Sequence, residues 1–263
     1  MLKRVLIAVA VVALIVDCTL VSIKLHKKEK IKKAIAVEHN KKDYKYSVFI
    51  TSDDGPLRGS KNLDAIIRDY QVPVTLFCIG KALYQDPAHL RANFKRYKHN
   101  PYVIIGNHSF THANLHYKRF YKNPQGVEQD FLKNEKFLHI TTKLARFPGR
   151  NVWALGDEYK GEPHALQAAK LLHENDGYKV FGWDYELKHN RKGTILKDAY
   201  LHYNNIKKLL KEGKTFRPKE IVVLMHDQMY TDEISKEELG ELIMLLQYDS
   251  EVKLKLLNKY KIN

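Results

Sequence analysis

Apolar strand-like runs and helix-periodic stretches alternate from Ser47 to Leu246, and this alternation limits the fold more than any other feature. The strand-like runs are Val48–Thr51, Val72–Ile79, Tyr102–Ile105, Lys143–Phe147, Tyr178–Trp183 and Ile221–Met225. Each is short and β-branched or aromatic, and most stop at Gly, Pro or a charged residue. Between them lie amphipathic stretches. Ser60 is placed to cap a helix with Leu63, Ile66 and Ile67 on one face, and further helices are expected over 87–98, 125–139, 165–173 and 195–210. Ser235-Lys-Glu-Glu238 reads as a capping box opening a last helix through Leu246. Strands separated by helices imply an α/β fold with parallel strands and helices outside. No repeat or low-complexity tract interrupts the pattern.

The first 45 residues are different. Lys3-Arg4 precede twelve unbroken apolar residues, Val5–Val16, and a weaker run continues past Asp17 to Ile23. A charged start with an apolar core is the pattern of a signal peptide, and nineteen residues approach the length that spans a bilayer. Residues 1–23 are therefore read as a signal peptide or signal-anchor helix, which makes a membrane a partner and places the rest outside the cytoplasm, membrane-anchored or secreted. Residues 24–45 are read as a basic linker and 46–263 as the catalytic domain. Lys24–Lys42 carries eight lysines, and the positive-inside rule would hold that flank in the cytoplasm, against export.

The formal net charge is +15, of which residues 1–42 hold ten Lys/Arg against three Asp/Glu. Such a balance favours anionic surfaces. No zinc finger, basic zipper or aromatic RNA-binding motif accompanies it, so no nucleic-acid partner is expected. Two cysteines, Cys18 and Cys78, imply neither a disulfide framework nor a cysteine metal site.

In parallel α/β folds, reactive groups gather at the carboxyl ends of strands. Five such ends here are Asp53-Asp54, His108, Arg146, Asp184 and His226. Adjacent aspartates repel and are poorly placed in an apolar core, so a strand ending in both needs a cation or water there. His108-Ser-Phe-Thr-His112 spaces two imidazoles four apart, which on a helical turn faces both toward one ion. With a carboxylate from another strand end, the pair makes a set of two imidazoles and one carboxylate that leaves positions open for water and substrate. With thirteen histidines, such a pair also arises by chance. His89, His99, His116, His139, His164, His173, His189 and His202 lack a motif and are expected at the surface, and Asp227 reads as a solvated turn.

Thr51-Ser-Asp-Asp-Gly-Pro56, His108-Ser-Phe-Thr-His112, Arg146-Phe-Pro148 and Leu224-Met-His226 resemble, in order, the motifs of the NodB-like polysaccharide deacetylases, carbohydrate esterase family four. The resemblance implies a distorted (β/α) barrel of seven or eight strands. It also implies a metal-dependent hydrolase that removes an N-acetyl group from an amino sugar in an acetylated glycan. By the same resemblance Asp53 is the general base, and Asp54, His108 and His112 hold one divalent ion, zinc first, with cobalt, nickel or manganese as alternatives. Arg146 holds the base carboxylate, His226 is the general acid, and Leu224 lines the acetyl pocket.

Three positions depart from the family pattern. Ser52 stands where an aromatic residue is usual, and Gly149 where a tyrosine commonly follows the proline, which leaves Gly149 a backbone N–H toward the oxyanion. The fourth motif survives only loosely, in Gly182-Trp-Asp184-Tyr-Glu186. Asp184 is the expected partner orienting His226, with Glu186 second, and Trp183 is expected to line the pocket. Alternatives from the same fold are an O-acetyl esterase, a cyclic-amide hydrolase and a non-catalytic glycan-binding relative.

Overall fold

The computed structural model describes residues 44–85 and 87–262. The signal or anchor segment expected over 1–23 and all but the end of the linker lie outside the described residues. Among the described residues no helix is long and apolar enough to cross a membrane.

The chain folds around β1 (Tyr46–Gly55), which is buried along nearly its whole length on both faces. Buried faces on both sides are what a central parallel strand requires. The elements then follow in order: α1 (Ser60–Tyr70), β2 (Val74–Cys78), α2 (Gly80–Gln85), α3 (Pro87–Lys98), β3 (Val103–Asn107), α4 (Tyr117–Phe120), α5 (Pro124–Leu138), β4 (Leu144–Ala145), β5 (Trp153–Leu155) and β6 (Glu158–Lys160). After them come α6 (Pro163–Asp176), β7 (Lys179–Val180), β8 (Tyr185–Glu186), α7 (Ala199–Glu212), β9 (Glu220–His226), α8 (Glu233–Tyr248) and β10 (Val252–Leu254). The strands form one curled sheet in the order β6-β5-β7-β4-β3-β2-β1-β9-β8, with β10 beside the start of β1. Eight strands run parallel, and the hairpin β5–β6 lies antiparallel at one edge. The result is the distorted α/β barrel expected, left open between its two edge strands.

Strand alternation sorts the core into two sides. Val48 and Ile50 pack outward with Leu63, Ile67, Ile243 and Leu246 of the covering helices. Phe49 points inward, where Phe77, Trp153, Phe181, Val222 and Tyr260 fill the barrel. A further apolar cluster, including Val127, Phe131, Leu172 and Val180, joins α5 and α6 to the sheet. Side chains bridge the open seam. Trp153 stacks on Phe216 with centroids 4.3 Å apart, and Arg217 pairs with Glu158 at 2.8 Å.

Helix beginnings differ from the sequence expectation in instructive ways. Gly59, not Ser60, is the residue before α1, and it supplies no side-chain cap. The Ser60 hydroxyl instead donates to Asp227 at 2.8 Å, because a buried acid competes for it. Helix α7 opens at Ala199, later than expected, where the Asp198 carboxylate accepts from Leu201 N at 2.7 Å. Asp232 caps α8 in place of Ser235, whose hydroxyl accepts from Ile195 N. The expected capping-box acid, Glu238, accepts from Ala199 N and so ties α8 to α7. The hairpin β5–β6 and strand β10, each three residues long, escape periodicity because three residues complete too little of a two-residue repeat.

Candidate active site

The site forms at the carboxyl end of β1. Alternation directs Phe49, Thr51 and Asp53 into the barrel, and Asp54 would ordinarily face away. The β1–β2 pairing slips between Ser52 and Gly55, and Asp54 takes φ 71. A bulge of this kind re-aims one side chain, so consecutive aspartates reach the same mouth. The peptide bond Gly55–Pro56 that follows is cis. Ser52, where an aromatic residue is usual, is buried.

His108 and His112 do not share a helical turn. His108 directly follows β3, Ser109 turns the chain at φ 65, and His112 opens a 3-10 turn at φ 53. The two rings nevertheless meet, with centroids 5.2 Å apart. His112 Nε2 lies 3.1 Å and His108 Nε2 3.4 Å from Asp54 Oδ1. The His108 Nδ1 lies 2.8 Å from the Arg146 carbonyl, which accepts its proton and leaves Nε2 with a lone pair for the site.

One ligand atom each from Asp54, His108 and His112 falls within 4.8 Å of the others. Asp54 Oδ1 is buried and accepts no hydrogen bond among the described residues. An anionic oxygen and two imidazole nitrogens meeting at one buried point repel unless a cation or proton lies between them, so these residues fit a divalent ion. Burial would raise the Asp54 pKa, but the imidazoles of His108 and His112 overcome it and hold the carboxyl well below the usual range. Burial likewise opposes protonation of His108, and the carboxylates of Asp53 and Asp54 reverse it, raising the imidazole. Both shifts record the attraction of this point for positive charge.

Asp53 is gripped by Arg146, which is fully buried. One guanidinium nitrogen donates to Asp53 Oδ1 at 3.1 Å and to Thr51 Oγ1 at 2.5 Å. Nε donates to Phe181 O and the other amino group to Gly182 O, and the guanidinium lies 4.5 Å over the Phe77 ring. Burial draws the Arg146 pKa down, and Asp53 opposes it. The fork geometry fixes one oxygen of Asp53, while Oδ2 lies 3.7 Å from His108 Nε2, at the edge of the metal set.

His226 ends β9 directly beside Asp53, since the two are register partners. Leu224 is buried two residues earlier, opposite Thr51. Asp184 does not reach His226. It precedes β8, and Tyr185 pairs with Val223, so Asp184 lies level with Val222, four residues and about 13 Å short of His226. Its carboxylate accepts from Phe216 N at 2.6 Å and Val222 N at 2.8 Å. Burial pushes its pKa up to about 6, with those two N–H groups opposing. The expectation failed because Asp184 begins a strand rather than ending one. Glu186 pairs with Leu224 and is also no hydrogen-bond partner of His226 among the described residues. Trp183 is half-buried against the barrel interior, its backbone held at both ends by Asn151.

Gly149 takes φ +62, and among the described residues its N–H has no acceptor. A Cβ there would meet the Tyr117 ring at 3.1 Å. Tyr117 packs edge-on against His112 at 5.8 Å, so this ring stands beside the glycine that replaces the usual tyrosine. Nothing local in the sequence marks Tyr117. His189, expected at the surface, packs edge-on against His226 at 5.3 Å. His202 is buried rather than exposed, within 2.8 Å of the Tyr185 hydroxyl, and burial lowers its pKa to about 4.

Asp227 is buried, not a solvated turn. It accepts from Leu57 N and Ser60 Oγ at 2.8 Å each and from the Tyr97 hydroxyl. Burial raises its pKa to about 6 against those three donors. A Cβ on Gly59 would lie 2.0 Å from the Asp227 carbonyl oxygen, so glycine is required where the loop after β1 crosses Asp227.

The segment 40–152 matches the sequence model of the polysaccharide deacetylases. That span holds Asp53, Asp54, His108, His112, Arg146 and Gly149. No curated protein matches the chain. The fold recurs in solved structures. The catalytic domain of a peptidoglycan N-acetylglucosamine deacetylase from Eubacterium rectale is 18% identical, with TM-score 0.57 over 86% of this chain and 99% of that one. A family 4 carbohydrate esterase from Streptococcus mutans is 19% identical, with TM-score 0.59 over 87% and 90%. A family 4 pseudoenzyme from Bacillus anthracis is 15% identical, with TM-score 0.54 over 82% of this chain and 64% of that one. These likenesses establish the family 4 deacetylase fold.

Proposed function

We propose that this chain is a metal-dependent deacetylase that cleaves the N-acetyl amide of an amino sugar in a glycan. The observation that carries the reading is the convergence of Asp54, His108 and His112 beside an Asp53 held by a buried arginine. A divalent ion at Asp54, His108 and His112, zinc by the nitrogen-rich donor set, would supply Lewis acidity toward water and the acetyl carbonyl.

The chain's own residues divide the remaining work. Asp53 takes a proton from the attacking water, with Arg146 fixing which oxygen is presented. The Gly149 N–H, which has no acceptor among the described residues, would donate to the carbonyl oxygen as negative charge develops there. His226, beside Asp53, gives a proton to the sugar nitrogen as the C–N bond breaks. Acetate and a free amine result. An amide needs this acid more than an ester does, because an unprotonated amine anion is a far poorer leaving group than an alkoxide. Retention of the base, the three ligand positions and the acid weighs against a pseudoenzyme reading.

The test is acetate release from N-acetylglucosamine oligomers while zinc is titrated into Asp53→Asn and Asp54→Asn. Asp53→Asn is expected to bind zinc yet lose about 10²–10⁴ in turnover, the usual worth of a general base. Asp54→Asn is expected to bind zinc weakly and to regain activity as metal is added. Rescue of Asp53→Asn by zinc would reverse the two roles, and acetate release only from O-acetylated glycans would make the protein an esterase. We also propose that residues 1–23 anchor the catalytic unit outside the cytoplasm, which an enzymatic reporter fused at the C-terminus tests: activity only in the cytoplasm rejects it.

A further inference from the structure

We propose that His189 is the positioning residue of His226, holding that imidazole at the mouth in place of a carboxylate partner, an assignment that rests on His226 being the acid. The His189 ring packs edge-on against His226, with centroids 5.3 Å apart and planes at 74°. His226 Nδ1 is buried and has no hydrogen-bond partner among the described residues. The carboxylates around it are engaged elsewhere. Asp184 accepts from Phe216 N and Val222 N, and Asp227 from Leu57 N, Ser60 Oγ and the Tyr97 hydroxyl. Asp53, the register partner of His226, is held by Arg146, and Glu186 lies level with Leu224, two residues earlier. Lys188 and Arg191, on either side of His189, are exposed.

The loop that carries His189 is pinned on two sides. His189 bridges to Ile195 across a tight turn, in which the Asn190 side chain accepts from Lys192 N and Thr194 N. Leu196 N donates to Lys188 O, and Ile195 N donates to Ser235 Oγ at the start of α8. The same turn lies against the residues that follow His226. Gly193 takes φ +89, and a Cβ there would meet the Gln228 carbonyl oxygen at 3.1 Å.

Two hydrogen bonds then orient the ring. His189 Nδ1 lies 2.8 Å from the Asn190 carbonyl, which accepts its proton, and Nε2 accepts from the Gln228 amide at 3.3 Å. Both bonds suit the neutral ring, because a proton on Nε2 would oppose the amide donor. Two charged imidazoles in contact repel, so the proton of the pair is left to His226, where the reaction uses it. An uncharged partner fixes the acid without tightening its hold on the proton, as a carboxylate would.

The experiment measures acetate release by the zinc-loaded full chain from N-acetylglucosamine oligomers and from an aryl acetate ester, whose phenolate leaves without a proton. His189→Ala is expected to lose about 10–100-fold on the amide, part of the 10²–10⁴ that a general acid contributes, and less than about threefold on the ester. His189→Phe keeps a ring edge against His226 and should recover most of that loss. His189→Glu sets a carboxylate beside His226 and should carry amide activity about one pH unit further into the alkaline range. Unchanged zinc content and melting temperature show each variant folded. Equal losses on both substrates overturn the proposal, because His189 then only supports the fold. Full amide activity in His189→Ala overturns it too. His226→Ala is measured beside these variants. If it loses no more on the amide than on the ester, the acid role of His226 falls; if its loss is confined to the amide while His189→Ala loses nothing, only the positioning falls. The His226 ring titration, followed by NMR, reads the contact without turnover. Its midpoint should rise by about one pH unit in His189→Glu, and an unmoved midpoint overturns the proposal even where no amide is cleaved.

Discussion

At the scale of single residues, the site rests on a buried cation whose partners are all named. Arg146 directs its donors to Asp53, Thr51 and two carbonyls, and it is the permanent cation beside Asp53, with the titratable His108 ring 3.7 Å from the other carboxylate oxygen. Arg146→Met keeps the length and apolar stem but strands a buried carboxylate. The expected loss is about 3–5 kcal/mol of stability, measured by urea unfolding, with turnover falling as well. Asp184 behaves in the opposite sense. Its pKa is raised from 3.8 to about 6 on folding, so the native state holds the proton more tightly than the unfolded chain. Its contribution is present in acid and is lost as pH rises between those two values. The stability of the wild type relative to Asp184→Ala is expected to fall by roughly 1–3 kcal/mol from pH 4 to pH 7. A flat difference would show that burial does not raise this group.

At the scale of elements, the loop after β1 is held from the far end of the sequence. Asp227 binds Leu57 N and Ser60 Oγ, and Asn93 and Asn62 donate to Leu57 O and Tyr230 O around them. This fixes the turn from which Asp54 projects. Asp227→Ala is expected to cost roughly 2–4 kcal/mol by leaving several buried donors unpaired, and to weaken zinc binding without touching a ligand. Calorimetric zinc titration together with thermal unfolding checks both. Such long-range holds are what the sequence could not display. Asp53, Asp54, His108, His112 and Arg146 were legible because each motif carries its chemistry locally, on or beside a strand end. Strands β1, β2, β3 and β9 were legible because a buried parallel strand must be a short apolar run. The role of Asp227, the ring of Tyr117 beside Gly149 and the true partners of Asp184 depend on register between distant strands. Helix starts were misplaced by up to four residues for the same reason, since Ser60, Ser235 and Glu238 bond to tertiary neighbours instead of capping their own helices.

At the scale of the whole molecule, the candidate metal set joins two separate stretches, residue 54 at β1's bulge and residues 108 and 112 on the turn after β3. A ligand that binds only the folded arrangement stabilises all of it. Zinc at a hundredfold excess over its dissociation constant is expected to add about 2.7 kcal/mol and raise the melting temperature by roughly 5–10 °C. His112→Ala should remove that shift, and an equal shift in both proteins would place the metal elsewhere.

The aromatic filling of the barrel has a consequence for traffic. Phe49, Phe77, Trp153, Phe181 and Tyr260 close the interior beneath Asp53 and Arg146, so nothing drains through the axis. In the proposed reaction, a glycan chain lying across the mouth would cover the same doorway by which a released acetyl fragment leaves. Acetate would then queue behind the polymer, which would have to leave, or slide along, before the small product escapes. Turnover on long chains should then be set by the polymer's departure, whatever the speed of bond cleavage.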